Sequence, residues 1–367
     1  MAPTDSRSGE VESKLALLRG LLERRGLDAA VLSGTDSVAW LTGGVTNRIE
    51  PGSPASPLWL VVTLDSAAAV TTNVERPRLE AEAGLEFELH EVEWFEPDGL
   101  ARKAAELAGS TRIGGGELDE DLIALRLALQ PPELERLAAL AVDAARALEE
   151  ALLAWEPGER DFDVQARVAE YLERTGAFGA CLIVGGDERV ERFRHPLAAG
   201  APMRRLVMAV VVAERHGLHA AATRFACAGG LADGVRRARA ASLEIERVIL
   251  DTCVPGATYG EAVEALAGAY AESGHPEAWR EHYQGGPVGY RQREFELVPT
   301  QVDSRWYTTA IEPGHALAWT PSVAGGGKCE DTYLVEPAGL RRLTDTGAWP
   351  LEDGRPAVLD IATGAAA

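Results

Sequence analysis

The chain has 367 residues, with 36 Lys and Arg against 57 Asp and Glu, a formal charge of −21 at pH 7. That acidic surplus leaves no basic stripe to neutralise phosphates, so nucleic acid is not expected as a partner, nor is an anionic membrane surface. The length suits two domains of roughly 100–200 residues each, and 46% apolar residues supply their cores.

No apolar run approaches the roughly 18 residues of a membrane span. The opening MAPTDSRSGEVESK is polar, without a signal-peptide apolar segment. The four cysteines, Cys181, Cys227, Cys253 and Cys329, are scattered and form no CxxC, so a reducing, cytoplasmic location is expected.

Residues 1–9 read as a disordered tail. Leu15, Leu17, Leu18, Leu21 and Leu22 then recur at helical spacing, and Gly26 ends that helix. DAAVLSG reads as a buried strand and SVAWLTGG as a short helix. WLVVTL and AAAVTTN are strands joined near Asp65. RPRLEAEAG is helical, FELHEVEW a strand, GLARKAAELAG a helix and RIGGG a last short strand. Strands alternating with helices predict one small α/β domain, placed at 10–128.

LDEDLIALRLALQPP reads as a helix running into Pro131-Pro132, where a proline suits the first turn of the next helix. That helix, ELERLAALAVDAARALEEALLAW, stops at Pro157-Gly158. FDVQARVAEYLERTG is helical, ACLIVGG and LVMAVVVAER are strands, and HAAATRFACAGG is the hairpin partner of the second. Two further helices, 232–253 and 259–274, precede a strand-rich end. Helices paired with antiparallel strands predict an α+β second domain over 131–367.

The order of these segments resembles the pita-bread family of creatinase, prolidase and aminopeptidase P, over nearly the whole chain. LLRGLLERRGLDAAVLSGTDSVAWLTG is similar to the creatinase-type N-terminal domain. QPPELERLAALAVDAA and WEPGERDFDVQARV resemble two family helix starts. CEDTYLVEPAGLRRLT resembles the closing E-D-x-x-l-V…G-x-x-x-L-T and is the most specific match. The resemblance implies a small creatinase-type α/β domain followed by a pita-bread domain, a homodimer and a small-molecule substrate.

Metallopeptidases of this family bind two metals through Asp, Asp, His, Glu and Glu, a donor set that hard divalent ions require. Aligned on the resemblance, those positions hold Val210, Ala221, Gly286, Thr320 and Glu330. Only the last matches the family's ligand, so a family-type dimetal site, and any cofactor, is not expected.

Creatinase has the same fold and works without metal, which makes its pattern the next comparison. His195, in RFRHP, falls where the family keeps its active-site histidine, and imidazole suits a proton shuttle. Glu330 falls on a creatinase glutamate, and Thr223 replaces a second one. His219 stands where creatinase has a substrate-facing tyrosine. His282 matches the family histidine before the metal loop. Arg293 resembles the arginine that holds the substrate carboxylate in a bidentate fork. Arg48 lies where relatives reach from the N-terminal domain into a partner's site.

Each residue also has a structural reading: a hydrogen-bonded core group for His195, His282 and Glu330, a solvated strand face for Arg291 and Arg293, a loop arginine for Arg48. His216 and His219 form an H-x-x-H that does not converge on a strand or turn as it would on a helix. Gly285, Gly286 and Gly289 read as a turn, or as backbone exposed to a substrate. Gly325–Gly327 read as a hairpin turn and Cys329 as a buried thiol.

The resemblance thus implies a metal-independent hydrolase that cleaves a C–N bond in a small carboxylate-bearing substrate. The catalytic candidates are His195, Glu330 and His282, and the binding candidates Arg293, His219, Thr223 and Arg48. Two alternatives stay open: an inactive peptidase-fold binding protein, and a lyase or isomerase using the same histidine.

Overall fold

The computed structural model describes residues 4–367, with side chains from residue 7 onward. The chain divides into two compact units, one ending at Arg136 and taking in His216–Leu218, the other comprising Leu137–Arg215 and His219–Ala367.

The first unit opens with α1 (Thr4–Arg25). Residues 4–9, read as a tail from their polarity, are its first turns; residues 1–3 lie outside the described residues. Long-range polar contacts explain the difference. Arg7 donates to the Thr42 carbonyl at 3.0 Å, and Ser8 to Glu86 at 3.1 Å. Further along α1, the buried Lys14 ammonium lies 2.6 Å from both Glu10 and Glu133 and 2.8 Å from the Trp40 carbonyl. Local hydrophobic pattern carries no trace of such ties.

Strands β1 (Ala29–Gly34), β2 (Ala55–Thr63), β3 (Ala67–Thr72), β4 (Glu88–Val92) and β5 (Ile113–Gly114) form one sheet in the order β4-β3-β2-β1-β5. β1–β2 and β2–β3 are antiparallel, whereas β3–β4 and β1–β5 are parallel. Helices α2 (Thr35–Leu41), α3 (Arg76–Arg78), α4 (Gly99–Ala108) and α5 (Asp119–Arg126) complete this α/β unit. Ala104 and Ala108 of α4 are small enough to pack closely against Ala29, Val61 and Val70 of the sheet.

Helix α6 (Pro131–Leu153) leads into the second unit, where α7 (Asp161–Arg174) precedes β6 (Phe178–Gly186) and the short α8 (Glu188–Arg192). β7 (Leu206–Arg215) and β8 (Leu218–Cys227) are neighbours in a five-stranded sheet. The turn between them holds His216 at φ 57° and Gly217 at φ 80°, as a two-residue hairpin with matching twist requires. Every residue of β8 is buried, and the uninterrupted apolar run of β7 fits a strand covered on both faces. α9 (Asp233–Thr252) and α10 (Tyr259–Glu272) follow.

A second sheet combines β9 (Gly285–Val288), β10 (Ala316–Trp319), β13 (Tyr333–Glu336) and β14 (Gly339–Arg342), and β11 (Ser322–Val323) pairs with β12 (Gly327–Lys328) across the glycine turn. The remaining strands, β15 (Leu351–Glu352), β16 (Arg355–Pro356), β17 (Val358–Asp360) and β18 (Ala365–Ala366), close the chain, with β17 parallel to β8.

Residues 330–332 lie along β8. The Thr223 N–H donates to the Glu330 carbonyl at 2.9 Å, and Thr332 Oγ1 bonds both backbone groups of Ala221. Between them, buried Asp331 accepts from Arg224 Nη1 at 2.8 Å and from Thr344 Oγ1 at 2.6 Å. Arg224 also donates to the Thr344 carbonyl and lies 3.5 Å from Glu149 of α6. Removing one partner of such a buried pair strands the other charge. Asp331→Ala should therefore lower unfolding stability by about 3–5 kcal/mol in a urea titration, while Arg247→Ala, on an exposed helix face, leaves the midpoint in place.

Candidate active site

Three stretches of the second unit meet. His195 follows α8, His282 follows a short 3₁₀ turn at Ala278–Glu281, and Lys328 ends β12. His195 Nε2 and His282 Nε2 are 3.1 Å apart. Lys328 Nζ lies 3.1 Å from that same His282 nitrogen and 2.9 Å from Thr320 Oγ1. The residues just before the two histidines, Arg194 and Glu281, form an ion pair of 2.8 Å that ties the two segments together. The exposed Tyr283 ring lies parallel to His195, 6.3 Å away.

Glu330 is buried beside this group. Its Oε1 accepts from Arg293 Nη2 at 2.6 Å, and its Oε2 lies 3.5 Å from Thr223 Oγ1. A cavity of 240 Å³ borders the cluster, lined among others by Phe193, Arg194, Met208, Glu281, Ser322 and Lys328.

Hydrogen accounting assigns the imidazole tautomers, taking Lys328 as the donor to His282. A neutral ring has one lone pair. On His282 the Nε2 lone pair faces two donors, the Lys328 amine and the His195 Nε2–H. With both donating there, the His282 proton sits on Nδ1, a buried atom without a hydrogen-bond partner, and the acceptor nitrogen of the exposed His195 is Nδ1. Electrostatics agree: burial first, then Lys328 and His195, push His282 down to about 2. His195 is also lowered, by burial and Lys328, with Glu330 opposing. Both rings are neutral at pH 7, as a general base must be. Burial lowers Lys328 as well, and Glu330 counters it.

His195, His282, Glu330, Arg293 and Thr223 thus form one cluster. Arg293 and Glu330 are paired with each other, so each meets a substrate only as half of an ion pair. His219 is buried in β8 with Nδ1 3.3 Å from the Gly289 carbonyl. Arg48 belongs to the first unit, where Nη1 donates to the Pro51 carbonyl at 3.1 Å.

The glycines at 285–286 form a strand rather than a turn. They pair with Trp319 and Ala318 of β10, and a Cβ on Gly285, at φ 87°, would collide with the Ala318 carbonyl oxygen. Cys329 is buried, its Sγ 3.3 Å from the Ser242 carbonyl. Lys328 is the residue that sequence reasoning missed. Its signal was present: on an extended segment, residues two apart share a face, so Lys328 accompanies Glu330.

The donor set does not fit two metals. Val210 and Ala221 are buried apolar groups, and among the described residues no three His, Cys, Asp or Glu side chains are grouped to hold an ion. A lysine amine, itself a cation when protonated, stands between Thr320 and His282.

A titration follows from these states. The unfolded chain takes up a proton on His282 near pH 6.5 that the folded chain refuses. The unfolded state then binds more protons, so stability falls as pH drops below about 6.5 and levels off above it. His282→Asn should reduce that acid-side slope by at most about 1.4 kcal/mol per pH unit, measured by urea unfolding between pH 5 and 8.

Residues 134–337 match metallopeptidase family M24, and residues 14–151 match the creatinase/prolidase N-terminal domain. No curated protein matches the chain. Among solved structures, it is similar to the prolidase from Pyrococcus horikoshii OT3, with TM-score 0.73, 19% identity, and 91% of this chain and 98% of that one covered. The Xaa-Pro dipeptidase from Bacillus anthracis gives 0.74, 19%, 92% and 98%. The N-terminal domain of FACT complex subunit SPT16 from chickpea, Cicer arietinum, gives 0.68, 12%, 98% and 99%. At such identities the likeness is one of fold. The family match spans more than half of the sequence, behind a creatinase-type N-terminal domain: the chain belongs to metallopeptidase family M24.

Proposed function

We propose that this chain is a metal-independent hydrolase that cleaves a C–N bond in a small, carboxylate-bearing substrate. The observation that carries this reading is the contact of 3.1 Å between His195 Nε2 and His282 Nε2, which leaves a neutral, exposed imidazole nitrogen at the mouth of a polar cluster. Water is the co-reactant. His195 Nδ1 accepts a proton as the water oxygen bonds to carbon. The C–N bond breaks, and the same proton passes to the leaving nitrogen. The His195 imidazolium formed in between keeps its Nε2–H on neutral His282, and the Glu330 carboxylate favours its charge while Lys328 opposes it.

Size limits the substrate. The 240 Å³ cavity meets the cluster at Lys328, beside the Arg194–Glu281 pair, and has room for a molecule of amino-acid size. A lyase or isomerase could use the same histidine, but the exposure of His195 to solvent favours attack by water.

Positioned acid–base groups contribute about 10²–10⁴-fold in rate. His195→Ala should lower turnover of an amidine- or amide-bearing amino acid by that factor with the melting temperature unchanged, and ¹⁸O from solvent should appear in the product. Wild-type turnover in the variant would end this assignment, and product without ¹⁸O would turn the reading to a lyase.

A further inference from the structure

We propose that Lys328, together with Arg293 and Thr320, forms a carboxylate-binding site that takes the place of the family's metal charge. The inference rests on the functional reading above for its substrate class, but the site can be tested without turnover.

Donors and charges both point to an anion. An ammonium carries three N–H groups. On Lys328 two have partners, Thr320 Oγ1 at 2.9 Å and His282 Nε2 at 3.1 Å. The third is left for a ligand, although the side chain is buried. Lys328 and Arg293 contribute two positive charges, and Glu330, the buried acid beside them, contributes one negative charge. Glu330 gives its Oε1 to the partly exposed Arg293, so the buried Lys328 amine shares that carboxylate rather than having one of its own. Glu296 also lies near Arg293, where burial pushes its carboxyl up and the guanidinium draws it down, so this second acid serves the arginine rather than the lysine. Arg194 is matched by Glu281. A buried unbalanced cation is costly unless an anion pairs with it.

Position agrees with charge. The resemblance assigns metal-binding glutamates to residues 320 and 330, and here a threonine and a glutamate flank the lysine amine. Glu330 is already paired with Arg293, so the substrate carboxylate would meet the unpaired lysine N–H. An ammonium holds a carboxylate as a point charge and needs no coordinating acids of its own. Bound there, the carboxylate would also lie next to His282, and so one residue from the proton-carrying His195.

Acetate tests the site directly, with acetamide as its neutral counterpart of similar shape. Each is titrated at pH 7 against the full chain while the His195 and His282 ring resonances are followed by NMR. Acetate should shift these resonances saturably, and acetamide should not. Lys328→Met should weaken acetate binding at least tenfold. Lys328→Gln, which keeps a hydrogen-bond donor, serves where the Met variant fails to fold. No saturable acetate shift, equal shifts with acetamide, or unchanged acetate affinity in a folded Lys328 variant would each overturn the site. The two readings fail separately: acetate binding with no His195-dependent turnover removes the hydrolase and keeps the site, and the reverse removes the site alone.

Discussion

The arrangement of the second unit depends on the buried ion pair between Arg224 of β8 and Asp331. It fixes which way each residue of the segment 328–332 points. Asp331 turns inward to Arg224 and Thr344, and Cys329 toward the Ser242 carbonyl of α9. Lys328 and Glu330, alternating with them, are left to face His282 and Arg293. Glu330 Oε2 also comes within 3.5 Å of Thr223 Oγ1 of β8, the strand whose backbone binds the segment. A structural pair thus holds the chemical groups in place without taking part in the chemistry.

The same geometry shows why a lysine is a workable replacement where metal ligands are gone. A hard dication needs about six oxygen or nitrogen ligands. Here Val210 and Ala221 are part of the packed sheet, Val210 in a cluster with Ile183, Met208 and Phe225. An amine needs at most three acceptors, and its charge arrives already attached to the backbone. Two acceptors are in place, and Glu330 beside them is already bonded to Arg293. The cost of burying Lys328 is real, as the downward pull on its amine shows. A bound carboxylate would offset it.

Most of the fold was legible because strands and helices differ in period, and because CEDTYLVEPAGLRRLT occurs in its family order. The loss of metal ligands was legible residue by residue, since Val and Ala have no donor atoms. The helical start at residues 4–9 was not, because its ties run from Arg7 to Thr42 and from Ser8 to Glu86, far along the chain. The glycines at 285–286 were read as a turn because their conformational freedom was visible, while the neighbouring strand carbonyl that excludes a Cβ was not. The Arg293–Glu330 pair was hidden for a similar reason: both residues were identified, but a separation of 37 positions gives no sign that they satisfy each other. Lys328 was hidden in plain view beside a glycine turn.

The central claim is that a covalently attached cation, not a metal, supplies the positive charge of this site. Metal content of tag-free protein, measured by plasma emission before and after chelation, tests it most directly when joined to melting curves with Mn²⁺, Co²⁺ and Zn²⁺. The account predicts no stoichiometric metal and no ion-dependent rise in melting temperature. One or two ions per chain, released by Glu330→Gln, would contradict it.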